Sequence, residues 1–171
     1  MAGFLSRLFG SGKKKQRDGD TIVEVKRVED IPPMIEANRL VLNQDYRGAI
    51  FLLFRSMKGD FIRSTGFEER GGLTNRQFLV EGFQKFGIKP KDDAYTDNYY
   101  LKDVILQPPA LNEDKINQYN ALRKLTNFYI DYYERAAFSL YPLNDPDKII
   151  EKASEFYSFL NIVALYFGGG S

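Results

Sequence analysis

Apolar residues return at steps of three and four through residues 115–140, KINQYNALRKLTNFYIDYYERAAFSL. Ile116, Tyr119, Leu122, Leu125/Thr126, Tyr129, Tyr132/Tyr133, Ala136 and Leu140 fall on one side, and Asp131, Glu134 and Arg135 on the other. That is the spacing of an amphipathic helix, and with no Gly or Pro inside it the stretch predicts a rod of about seven turns. It is the longest such segment in the chain, so the other elements are expected to pack around it.

The pattern elsewhere predicts shorter helices. Pro32-Pro33 sets the start of a helix reaching Gln44, and a second runs from Asp45 or Tyr46 to about Thr65 with Ala49, Ile50, Leu53, Phe54, Met57 and Phe61 as its stripe. Asn43-Gln44-Asp45 supplies the turn and the N-cap between them, and small alanines allow close approach, so the two read as an antiparallel hairpin. Thr74 and Gln77 make a capping box for a helix that ends at Gly87, with Ile88 placed to touch Phe83. Asn112 opens the central helix. Asp145 as cap and Pro146 at the first position predict a last helix over 146–167 that grows more apolar toward its end. Residues 21–28, TIVEVKRV, alternate with period two, but a lone short strand suggests an extended arm lying on the helices. Residues 89–111 form a long loop with one short helical turn expected over 98–106, and the terminal GGGS reads as a flexible tail. The fold class predicted is all-α: one domain, a bundle of about five helices over 31–167, preceded by a flexible N-terminal arm over 1–30 and followed by a flexible tail over 168–171.

Composition narrows the chemistry. At 171 residues one real core is affordable, because folding at this size buries roughly 70% of the unfolded chain's surface. There is no Cys and no His. Their absence removes thiol nucleophiles, thiolate metal sites, Ser-His-Asp chemistry and the usual neutral-pH base. No glycine-rich phosphate signature is present either. The chain therefore reads as a non-enzyme with no cofactor and no metal, and the lack of Cys fits a cytoplasmic setting.

The formal net charge is only +1, yet residues 1–17 carry Arg7, Lys13, Lys14, Lys15 and Arg17 and no acid. Phe4, Leu5, Leu8 and Phe9 form an apolar patch beside that run. Together with Lys13, Lys14 and Lys15 they suit reversible contact with an anionic membrane surface, or with a partner protein. Tyr95, Tyr99 and Tyr100 in the long loop are a candidate partner surface.

The block 51–160 resembles a small all-helical domain of unknown function. That domain is found at the C-terminus of membrane-bound transglutaminase-like proteins and in archaeal gene neighbourhoods with MoxR-type AAA ATPases. The resemblance is carried by AIFLLFRSMKGDFI, by T-N-R-Q-F with its helix, and by LTNFYIDYYERAAFS. It implies a protein-interaction or adaptor role beside an ATPase or a membrane assembly, and it brings no catalytic residue.

Two other readings are available. RNA binding without nuclease activity would use Arg39, Arg47, Arg55, Lys58 and Arg63 on the helical hairpin, with the loop tyrosines as stacking platforms. Interleaved acids and an ordinary pI of about 7.8 argue against nucleic acid as the partner. Carboxylate chemistry would use Asp131 and Glu134 with Tyr132 and Tyr133, but a second acidic motif is missing, and Glu134 with Arg135 reads as a local ion pair or solvated surface.

Overall fold

In the computed structural model, residues 15–18, 21–24, 26–88, 110–138, 142–143 and 145–168 are described, the first two stretches by their backbone alone. Strands β1 (Lys15–Asp18) and β2 (Thr21–Glu24) pair antiparallel, with Gln16 opposite Val23 and Arg17 opposite Ile22. The period-two signal is therefore, over Thr21–Glu24, a strand with a partner. Gly19-Asp20, the two residues between the strands, is the cue in the sequence, since Gly-first pairs favour two-residue hairpin connections.

The body is an all-α bundle. Helix α1 (Pro32–Leu42) begins on its two prolines, which need no intrahelical N–H partner at that position. A turn with Gln44 in left-handed conformation reverses the chain into α2 (Tyr46–Thr65). Asp45 caps α2 by accepting from the Gly48 amide at 2.9 Å. Position 48 is glycine for that reason, because a Cβ there would run into the Asp45 carboxylate. The helix closes at left-handed Gly66. Ala37 and Ala49 are both fully buried where α1 lies along α2.

Helix α3 (Asn75–Lys85) carries the predicted capping box: Thr74 accepts from Gln77 N–H, and Gln77 Oε1 accepts from Thr74 N–H at 2.9 Å. At its far end Ile88 N–H reaches back to the Phe83 carbonyl around left-handed Gly87. Helix α4 is the central rod, and it has three parts: α-helical Glu113–Phe128, a wider π turn Tyr129–Tyr133, and α-helical Glu134–Phe138. Asn112 caps it as expected. Tyr119, Leu122, Leu125, Thr126, Tyr129 and Tyr132 of the predicted face are buried, and α4 packs on α2, α3 and the last helix.

The last helix departs from the sequence reading. Pro146–Lys148 is a 3₁₀ turn, α5 covers only Ile149–Tyr157, and a separate π turn spans Val163–Phe167. Ser158 donates to the Glu155 carbonyl at 2.6 Å and Asn161 accepts from Ala164 N–H at 3.3 Å. Ser and Asn side chains thus offer the backbone local partners that compete with a continuous helix. Asp145 is not a side-chain cap. It sits in left-handed conformation, and its carbonyl accepts from Lys148 N–H and the Tyr132 hydroxyl. Val163 and Ala164, within the apolar run, are exposed.

Candidate functional site

Along α2 the positions 47, 51, 55, 58 and 62 follow helical spacing and form one outward stripe of three cations, Arg47, Arg55 and Lys58, and two apolar groups, Phe51 and Ile62. This stripe is one wall of an open groove of about 490 Å³, lined by Phe51, Phe54, Arg55, Lys58, Glu69 and Tyr133 among others. The opposite wall comes from the loop after α2, from Asn75 at the start of α3, and from the π turn of α4.

The π turn places Tyr133 in that wall. Glu134 N–H donates to the Tyr129 carbonyl five residues back, so one extra residue enters the rod and the face behind it is rephased. One turn earlier the buried Thr126 hydroxyl donates to the Leu122 carbonyl at 2.8 Å, a back-bond that bends helices. As a result Tyr132 turns inward against Phe128, with ring centroids 5.3 Å apart, while Tyr133 lies on Phe54 at 4.5 Å and meets Phe51 edge-on at 5.3 Å. Tyr129 stacks under Tyr133 at 5.6 Å. Phe51, Phe54 and Tyr133 thus line the groove, and the buried Tyr129 supports them from beneath.

The polar groups at the rim are mostly engaged. Lys58 pairs with Glu69, donates to Asn75 at 3.3 Å and lies 4.7 Å over the Phe78 ring. Arg76 pairs with Glu134, and with side chains only 12% and 24% exposed this pair fixes α3 to α4 more firmly than a surface pair would. Arg47 covers Phe51 at 5.3 Å. Arg55 is exposed and makes no hydrogen bond or ion pair among the described residues.

On another side of α2 lies a buried polar cluster. Asp60 is fully buried and accepts from the Tyr157 hydroxyl at 2.7 Å, from the Tyr166 hydroxyl and from Arg63, whose own side chain is 61% exposed. One carboxylate therefore ties α5 and the terminal π turn to α2. Burial, and then the Asp60 charge, push the Tyr157 hydroxyl above its ordinary range, and burial with the Asp60 bond pushes Tyr166 up to about 12 from 10.0. Because the folded protein holds these protons more tightly than the unfolded chain, their contribution is complete below pH 10 and is lost as pH rises toward 12. Denaturation midpoints measured against pH should stay level to pH 10 and then fall, and Tyr166→Phe should make the fall shallower. A midpoint that is flat to pH 12 would contradict the assigned network.

Asp131 and Glu134 do not come together. Asp131 is exposed beside a small hollow with Lys124, Lys152 and Glu155, whereas Glu134 faces Arg76. The predicted local pair of Glu134 with Arg135 is thus corrected: the partner lies 58 residues away, because the π turn points Glu134 at α3. Among the described residues no group of three or more acidic, His or Cys side chains is arranged to hold a metal. Of the five hairpin cations, Arg39 pairs with Glu36, Arg63 with Asp60 and Lys58 with Glu69. Phe4, Leu5, Leu8, Phe9, Lys13, Lys14, Tyr95, Tyr99 and Tyr100 lie outside the described residues, and Lys15 is seen only as backbone in β1. No helix among the described residues is long and apolar enough to cross a membrane.

The groove and the Asp60 cluster are the features that the residue pattern alone missed. Phe51, Phe54, Arg55 and Lys58 at steps of three and four held the signal for one wall; the other wall depends on the π turn. No protein-family profile, no curated protein and no solved structure matches this chain.

Proposed function

We propose that the protein is a non-catalytic helical interaction module that holds a segment of a partner protein in the groove between α2, α3 and the π turn of α4. The observation carrying this reading is the open groove in which Phe51 and Tyr133 stay partly exposed over the buried rings of Phe54 and Tyr129, on an otherwise well-packed bundle. Open aromatic surface of this kind is the usual anchor of protein recognition. The rim supports recognition over reaction, since Lys58, Glu69, Arg76 and Glu134 are committed to one another. It also favours protein over RNA: three of the five hairpin cations are neutralised by acids, which leaves too little continuous positive charge to track a phosphate backbone. Residues 1–17 belong to the proposal as a peripheral membrane tether, and an ATPase or membrane assembly as the partner follows from the resemblance of 51–160.

Affinity capture with the full chain tests the groove. Wild type and Asp131→Ala should retain a common polypeptide that a Phe51→Ala/Tyr133→Ala variant, checked for helicity, releases. Identical retention by all three, or capture abolished by ribonuclease, would refute the proposal.

A further inference from the structure

The groove's own charges define what kind of segment it takes, provided that the protein-binding reading above holds. Any ligand that covers Phe51, Phe54 and Tyr133 also covers Arg55, which lines the same groove from the same face of α2. Arg55 has no acceptor of its own among the described residues. Burying a guanidinium without an acceptor is costly, so an occupant made only of apolar side chains would be penalised at this point. Lys58 does not relieve this, because it is also a cation, and Glu69, the one acid of the lining, is already paired with it. The lining charges are thus Arg55 and Lys58 against Glu69, and Arg47 adds a further positive charge at the Phe51 end.

We infer that the groove takes an acidic segment of another protein, one that sets a carboxylate between apolar side chains. The planar fork of Arg55 donates two parallel hydrogen bonds to the carboxylate while the flanking side chains lie on the rings. The walls are two helices, a π turn and the loop that carries Glu69, and none of them is a strand edge, so the segment docks by side chains spaced along a helix or turn rather than by adding a strand.

Labelled amphipathic peptides test this with the intact chain. Each presents a Phe and a Leu one helical turn apart, with Glu, Gln or Lys between them. The Glu peptide should bind about ten- to hundredfold more tightly than its Gln isostere, with the Lys peptide weakest and the preference shrinking at high salt. Arg55→Gln should erase the Glu preference, Arg55→Lys should restore part of it, and neither should change the thermal midpoint, because Arg55 is exposed. Equal binding of Glu and Gln peptides, with amide shifts mapping to Phe51 and Tyr133, overturns the acidic preference and leaves the groove as a protein site. Absence of binding by every peptide, or binding of single-stranded RNA alone, overturns the protein-binding reading itself.

Discussion

Asp60→Ala lowers the stability of the protein by about 3–5 kcal/mol, because two tyrosine hydroxyls lose their bonds to a charged acceptor, at about 1.5–3 kcal/mol each. The carboxylate is fully buried, and its loss leaves the Tyr157 hydroxyl, itself inside the core, without an acceptor. Arg63 contributes less to the damage, since most of its side chain already faces water. Tyr157→Phe alone should cost about 1.5–3 kcal/mol, the range for a hydrogen bond to a charged group. A triple change, Asp60→Leu with Tyr157→Phe and Tyr166→Phe, removes every polar member together and should recover most of the loss, because apolar substitutes for buried ionic groups are often neutral or better. Urea denaturation curves with a common slope measure all three. A drop below about 1 kcal/mol for Asp60→Ala would show that the cluster is not what holds α5 and the terminal turn to α2.

Phe78→Ala is expected to cost a similar amount, about 3–5 kcal/mol, by opening a cavity. Phe78 is fully buried, meets Phe67 at 4.8 Å and Phe61 at 6.4 Å, and lies under Lys58. In a chain of this length that corresponds to a fall of roughly 6–20 °C in the thermal midpoint. The change has a second readout. Phe78 supports the start of α3 and, through Phe67, the loop that carries Glu69, so both sources of the groove's far wall lose their footing. Amide exchange should accelerate around residues 67–77 before it does so in α5. Uniform acceleration across the bundle would mean that the two walls are not separately supported.

These two sites illustrate what periodicity can and cannot convey. Local rules placed Asp45, Thr74, Asn112 and Pro32-Pro33 at helix starts, and all four begin a helix there, because capping depends on residues three or four apart. The buried face of α4 was readable for the same reason. Asp60 was not, since a carboxylate on the stripe side of a helix signals nothing until Tyr157 and Tyr166 arrive from far along the chain. The π turn was equally hidden: it follows from packing Tyr132 and Tyr133 to different neighbours, and YIDYY is compatible with an ordinary helix. Asp145 and the break after Tyr157 show the reverse failure, where good helix-start vocabulary and an apolar run gave way to a left-handed residue and to the side-chain bonds of Ser158 and Asn161.

The distance in sequence between Asp60 and its two phenolic donors, 97 and 106 residues, sets an order of events during synthesis. A ribosome that has produced α1 through α4 has exposed a hydrophobic helix carrying an anion that nothing yet neutralises except a surface arginine, so the half-made bundle cannot seal. A product cut short before Tyr157 should therefore be cleaved by proteases along that seam faster than the full chain.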